Sequence, residues 1–142
     1  MTNITLAQSY LLKADVRLKI LPILLEEEAF SDVIREAQEA VELALKGMLR
    51  QVGIEPPKVH DVGYLLIEYQ SMFPKPVQQH IEQLRDISRW LRKEREFAFY
   101  GEVDFIPSLE YSKEDAKRAI QDANFVVKAA KECIPLPEGK GK

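Results

Sequence analysis

Apolar residues recur at three- and four-residue steps along most of the chain. This spacing predicts α-helices, because residues three and four positions apart lie on the same face of a helix. The clearest segment covers residues 31–52, with Ser31 as a candidate N-cap and Gly53 as a candidate stop. Its predicted apolar face consists of Ile34, Ala37, Val41, Ala44, Leu45, Met48 and Val52, and its predicted polar face of Glu36, Glu39, Glu42 and Arg50.

The same spacing predicts four more helices. The first covers about residues 5–28 and includes Pro22, which removes one backbone donor and is a candidate kink. A short third helix begins near Asp61, and a fourth covers about residues 76–99. The last helix begins at Ser112-Lys113-Glu114-Asp115, a sequence typical of a capping box.

The pattern predicts an all-α fold. No segment shows the strict alternation of a half-buried strand, and the sequence contains no internal repeat. We therefore expect a five-helix up-and-down bundle, formed as a single domain by residues 1–134. Residues 135–142, rich in proline, glycine and lysine, are predicted to form a flexible tail.

Composition narrows the functional classes. The formal net charge of −3 disfavours broad capture of nucleic acid, which requires a basic surface, although it leaves room for a local basic cleft. The single cysteine, Cys133, excludes an internal disulfide and fits a reducing compartment. The longest uncharged apolar run, residues 20–25, is too short to cross a bilayer, and the N-terminus lacks the pattern of an export signal. A cytoplasmic location is expected.

The most informative segment is the predicted fourth helix. Arg95 continues its apolar seam, four residues after Leu91, and arginine cannot lose its proton to escape burial. It therefore needs a carboxylate, a carbonyl, a phosphate or water as a partner. Tyr100 follows shortly after, and Arg92 lies on an adjacent stripe. The seam itself consists of Val77, Ile81, Leu84, Ile87 and Leu91, and the adjacent stripe of Arg85, Arg89 and Arg92.

We predict that Arg95, Tyr100 and Arg92 bind a nucleotide or phosphate, since cations interleaved with aromatic rings hold phosphates and stack bases. A structural interpretation stays open beside this one. The helix dipole favours cations near a helix C-terminus. Acidic residues at helical spacing, Glu82, Asp86 and Glu96, can also neutralise the arginine stripe.

Other residue patterns carry less weight. Trp90 and Phe97, seven residues apart, are predicted to form a dimer contact, although within one chain they can also cover a neighbouring helix. His60 and Asp61 are interpreted as shaping the start of the third helix rather than as an acid–base pair. Two histidines and one cysteine do not supply a typical metal site, and no glycine-rich phosphate loop is present. We therefore predict no metal site, no cofactor and no catalytic residue, including Cys133.

The sequence resembles the HEPN family over about residues 5–130. The resemblance depends on the order of four stretches: AQEAVELALK at residues 37–46, HDVGYLL at 60–66, RKEREFAFYG at 92–101 and YSKEDA at 111–116. It implies a helical bundle that forms homodimers. It also implies a small nucleotidyltransferase as a partner, in prokaryotic toxin–antitoxin or related two-gene pairs. Other members of the family are metal-independent ribonucleases with an Arg-x4–6-His motif near the end of the fourth helix.

This sequence departs from that ribonuclease motif. Arg95 matches the arginine, but Tyr100 occupies the position where a histidine is expected, and neither His60 nor His80 follows an arginine by four to six residues. Histidine exchanges protons near neutral pH, whereas a tyrosine with a pKa of about 10 is ionised only to about 0.1% at pH 7. The sequence therefore favours binding over catalysis. Two alternatives stay open: a divergent HEPN ribonuclease, and a helical interaction scaffold with no small ligand.

Overall fold

The structure is a computed structural model that describes residues 5–99 and 111–136, excluding the side chains of residues 95–99. These residues contain six α-helices and no strand, so the predicted all-α fold is confirmed. In the same ranges no helix is both long and apolar enough to span a lipid bilayer. The helices are α1 (Leu6–Glu26), α2 (Phe30–Gln51), α3 (Gly63–Glu68), α4 (Lys75–Gln78), α5 (Ile81–Phe99) and α6 (Lys113–Cys133), with a 3-10 turn at Gln70–Met72.

The predicted count of five helices is wrong, because the predicted fourth helix is two helices, α4 and α5. The chain turns between them, where the His80 N–H donates to the carbonyl of Val77 at 2.9 Å. The His80 ring packs edge-on against Phe125 of α6, with 5.2 Å between centroids and 84° between planes. This contact joins residues far apart in sequence, so helical periodicity alone does not reveal the break.

Two predicted helix starts are confirmed by capping boxes. At α1, Thr5 Oγ1 accepts from the Gln8 N–H at 3.1 Å and Gln8 Oε1 accepts from the Thr5 N–H at 3.0 Å. Ser112 and Asp115 bond reciprocally at the start of α6, at 3.1 and 2.9 Å. Each pair satisfies two backbone donors that a helix start otherwise leaves without partners.

The start of α2 differs from expectation. Ser31 is not the N-cap, because α2 already begins at Phe30 and its N-cap, Ala29, makes no side-chain hydrogen bond. A tight turn connects the end of α1 directly to α2. In this turn Glu28 has a φ of 59°, and the Ala29 N–H donates to the Leu24 carbonyl at 2.9 Å. The first helix runs unbroken through Pro22.

The long helices alternate in direction. Tyr111 contacts Glu94, Trp90 contacts Asp122, and His80 contacts Phe125, so α5 and α6 are antiparallel. At the other end of α6, the Gln8 side chain donates to the Pro135 carbonyl at 2.6 Å. Gly47 of α2 lies against both Ala7 and Ile134. The start of α1 therefore lies beside the ends of α2 and α6, as in an up-and-down bundle.

The core lies between α2 and the helices that surround it. The predicted apolar seam of the fourth helix is confirmed, since its residues are at most 4% exposed. The alanine-rich face of α6 is buried as well, and small side chains let a neighbouring helix approach closely. The largest fully buried side chains are Leu11, Leu21, Val33, Ile34, Leu45, Met48, Leu49, Leu66, Ile81, Leu84, Leu91 and Ile134.

Asp61 connects the short helix α3 to α5 through hydrogen bonds. Its Oδ1 accepts from the Gly63 N–H at 3.1 Å and from the Ser88 hydroxyl at 2.7 Å. The predicted role of Asp61 at the start of the third helix is thereby confirmed. A Cβ at Gly63 would lie 3.0 Å from Arg85 Cα and 3.2 Å from its carbonyl oxygen, so an added side chain would crowd the backbone of α5.

We expect Gly63→Ala to lower the free energy of unfolding by about 1–3 kcal/mol, as for other overpacked sites. The added methyl group meets backbone atoms of α5, which cannot move aside without shifting the helix. Urea denaturation of the variant measures this loss, and Ser71→Ala, at an exposed position, serves as the control. Equal stability of Gly63→Ala and the unmodified protein would show that α3 does not depend on this close approach.

Candidate functional site

The predicted phosphate-binding residues lie on or after the C-terminal part of α5. Arg92 is half-buried and follows the fully buried Leu91. The backbone of Arg95 belongs to α5, but its side chain and that of Phe97 are not among the described side chains. Tyr100 also falls outside the described residues. The assignments of Arg95, Tyr100 and Arg92 therefore stay predictions.

Tyr111 ties the end of α5 to the start of α6. Its hydroxyl donates to the carbonyl of Glu94 at 2.8 Å. Burial, together with the negative charges of Glu94 and Asp115, raises the pKa of the Tyr111 phenol well above its usual value. The group therefore stays protonated and available as a donor at neutral pH. The sequence contains Tyr111 in one of the HEPN-like stretches, but its carbonyl partner lies 17 residues away and follows only from the fold.

Trp90 is held within the chain by α6. Its indole N–H donates to Asp122 Oδ2 at 2.8 Å. The Arg118 guanidinium lies 4.1 Å from the centroid of the indole ring, within the range of a cation–π contact. Arg118 also approaches Asp122 at 3.7 Å. Trp90 thus covers a neighbouring helix, and a dimer contact through it would use the part of the half-buried ring that α6 leaves exposed.

Glu42 was predicted on the polar face of α2, but its side chain is only 12% exposed. It joins three residues: Lys46 Nζ lies 2.9 Å from Oε2, His60 Nδ1 lies 2.9 Å from Oε1, and Gln38 Nε2 lies 3.3 Å from Oε1. His60 therefore pairs with Glu42 of α2. The local signals for this cluster are the four-residue spacings from Gln38 to Glu42 and from Glu42 to Lys46.

The environment of Glu42 lowers the pKa of its carboxyl group. Burial alone would raise this pKa, but hydrogen bonds from Lys46 and His60 and the charge of Lys46 outweigh it. The carboxylate is therefore ionised at neutral pH and fully engaged as an acceptor. An ionised carboxylate with these partners fits a structural role, in which Glu42 links α2 to the loop before α3. It fits the role of a proton acceptor in catalysis less well.

The described residues offer little for metal or thiol chemistry. Within residues 5–99 and 111–136 no group of three histidine, cysteine, aspartate or glutamate residues could hold a metal ion. Burial raises the pKa of the Cys133 thiol to about 11. Because the thiolate is the nucleophilic form, Cys133 is unreactive near neutral pH.

Comparison with known families identifies the chain. The family model described as HEPN domain matches residues 7–133. The chain belongs to the HEPN family. One relative, from Methanocaldococcus jannaschii, is named "Putative toxin MJ1304". It is 24% identical over 139 residues, which cover 93% of this chain and 90% of the relative. No solved structure matches this HEPN chain.

We expect Glu42→Gln to reduce the stability of this HEPN protein at pH 7. A carboxyl group whose pKa is lowered by folding stabilises the folded state above its unfolded pKa, and this contribution disappears as the pH falls through the folded value. The difference between Glu42→Gln and the unmodified protein should therefore shrink as the pH falls below the ordinary value of 4.5.

Thermal or urea unfolding between pH 3 and 7 measures this dependence. Glu27→Gln is the matched control, because Glu27 is an exposed carboxylate at the end of α1. A stability difference for Glu42→Gln that stays constant over this range would contradict the assignment of a charge-dependent role.

Proposed function

We propose that this HEPN protein binds a nucleotide or RNA, works with a cognate nucleotidyltransferase in a toxin–antitoxin-like pair, and has no catalysis of its own. The observation that carries the proposal is the match to the HEPN family over residues 7–133. The relative named as a toxin supports the same context, since its alignment covers nearly the whole of both chains.

The binding site in this proposal consists of Arg95, Tyr100 and Arg92. The apolar seam of α5 is buried as far as Leu91, and Arg95 follows it by one helical turn. Arginine binds phosphate through paired N–H donors, and a tyrosine ring offers a surface on which a base can stack. The hydrogen bond from the Tyr111 hydroxyl to the Glu94 carbonyl connects the backbone of α5, just before Arg95, to the start of α6.

Tyr100 is the reason for proposing binding without catalysis. Arg95 is present, but the histidine of the family's ribonuclease motif is replaced by tyrosine in this sequence. A phenol with an ordinary pKa holds its proton at neutral pH and is a poor general base for attack by an RNA 2′-hydroxyl. It can still donate a hydrogen bond to a phosphate oxygen.

The proposal predicts that Arg95→Ala weakens binding of nucleotide or RNA by about 10- to 100-fold, the loss of about 1.5–3 kcal/mol typical of a hydrogen bond to a charged group. Titration calorimetry with mononucleotides and a mixture of short RNAs measures this effect. Arg89→Ala is the matched control, since Arg89 is an exposed arginine on the same helix. Unchanged binding by Arg95→Ala would remove Arg95 from the site.

The second candidate is a divergent metal-independent ribonuclease, favoured by the toxin name of the relative. Incubating the purified protein and Arg95→Ala with the same RNAs, in the presence of a chelator, separates the two functions. RNA cleavage that Arg95→Ala abolishes would overturn the proposal of binding alone. Intact RNA without any measurable binding would instead favour an interaction scaffold.

The proposal includes a cytoplasmic homodimer with Trp90 and Phe97 at the contact between protomers. Trp90 is already engaged by Asp122 and Arg118, so Phe97 carries more of the predicted contact. We expect Phe97→Ala to shift the protein toward monomer in sedimentation velocity at micromolar concentration. A variant that stays as dimeric as the unmodified protein would place the interface elsewhere, and a monomeric unmodified protein would exclude the dimer.

A further inference from the structure

The outward side of α1 carries a row of apolar side chains. Val16, Ile20 and Ile23 are 53%, 39% and 62% exposed, and their four- and three-residue spacing places them on one side of the helix. The opposite side of α1 is buried in the core. A surface helix normally turns a polar face to solvent, whereas a helix that is apolar on both sides is normally covered on both. The exposed row is therefore suited to a contact with another molecule.

A surface groove between α1 and α6 runs beside this row. Its volume is about 480 Å³, and it is lined by Asp15, Leu18 and Lys19 of α1 and by Asn124, Val127, Lys128 and Lys131 of α6. Val127 is buried and Leu18 half-buried, so the base of the groove is apolar. Lys19 follows Val16 by three residues and connects the row to the groove. We call the row and the groove together the α1–α6 face.

The α1–α6 face is positively charged, although the net charge of the chain is −3. Lys131 Nζ lies 3.0 Å from Asp15 Oδ1, so these two charges compensate each other. Lys19 and Lys128 are exposed and form no ion pair with any residue that the structure describes. The complement of this face is a surface that combines carboxylates with apolar side chains.

Two other occupants fit the α1–α6 face less well. In a symmetric pair of copies the same patch meets itself, so its lysines would lie against the lysines of the second copy and repel them. The phosphate backbone of RNA would pair with the lysines, but it would leave the apolar row uncovered. A protein surface with both kinds of side chain satisfies the whole face.

We propose that the α1–α6 face binds an acidic amphipathic helix of a partner protein. The apolar side of that helix packs against Val16, Ile20 and Ile23, and its carboxylates pair with Lys19 and Lys128. Recognition of this kind lays a helix along a groove, with apolar anchors at three- and four-residue steps. The face lies on α1 and α6, whereas the nucleotide or RNA site proposed above lies on α5.

The test uses the full chain and a fluorescent designed peptide of about 18 residues, which is five helical turns. Leucines occupy one side of this peptide and glutamates the other. We expect a saturable rise in fluorescence anisotropy, with shifts of backbone amides in two-dimensional NMR confined to residues 16–23 and 124–131. The peptide carries no phosphate, so the result is independent of nucleotide or RNA binding.

Ile23→Glu is the decisive variant, because Ile23 is the most exposed residue of the row and its replacement leaves the core intact. It should weaken peptide binding at least about tenfold, as for an interface anchor. Lys128→Glu should weaken binding about three- to tenfold, and this difference should shrink at high salt.

Val59→Glu is the matched control for the apolar row, since Val59 is 44% exposed on the loop before α3. Lys75→Glu is the control for net charge, at an exposed position of α4. Equal weakening by the controls would overturn the site in favour of a general effect of charge. Equal binding of a peptide with lysine in place of glutamate, or no binding at millimolar peptide, would overturn it as well.

The same variants distinguish the other occupants. Sedimentation velocity that shows a dimer of the unmodified protein and a monomer of Ile23→Glu would assign the face to a second copy. Co-sedimentation with vesicles of anionic lipid, lost in Ile23→Glu, would assign it to a membrane surface. RNA binding lost in Lys128→Glu but kept in Ile23→Glu would assign it to nucleic acid. Each of these results would overturn the proposal of an acidic helix.

Discussion

The buried face of α2 is the element around which the bundle is built. Side chains from Val33 to Leu49 line this face, and α1, α5 and α6 all pack against the helix. Removing apolar surface from water is the main favourable term in such packing, and each neighbouring helix contributes one apolar face to it. Because these three helices all pack against it, α2 lies at the centre of the bundle.

The two ends have different chemistry. At one end, α5 ends beside the start of α6, and the Tyr111 hydrogen bond to Glu94 joins them close to Arg95. At the other end, α2 ends beside the start of α1, where Arg50 lies over Tyr10 and lines two adjoining cavities. Both ends combine cations with aromatic side chains.

The match to the HEPN family covers residues 7–133 and so includes Arg95 and Tyr100. Their correspondence to the family's ribonuclease motif stays a prediction from the sequence. The structure adds groups that the motif does not include. Glu42, Lys46 and His60 form a charged cluster that connects α2 with the loop before α3, and the carboxyl pKa of Glu42 is lowered by these partners. Through these contacts the charge of Glu42 is coupled to the packing of α2 against this loop.

The sequence by itself determined the helical class, the apolar seams, the role of Asp61 at the start of the third helix and the capping box at Ser112, because periodicity and capping act over a few neighbouring residues. The family was also recognisable from four short stretches. Only the tertiary structure decided the break at His80, the burial of Glu42, the partner of Trp90 and the contact of Arg50 with Tyr10. Each of these depends on contacts between residues distant in sequence, and such contacts exist only once the helices have packed together.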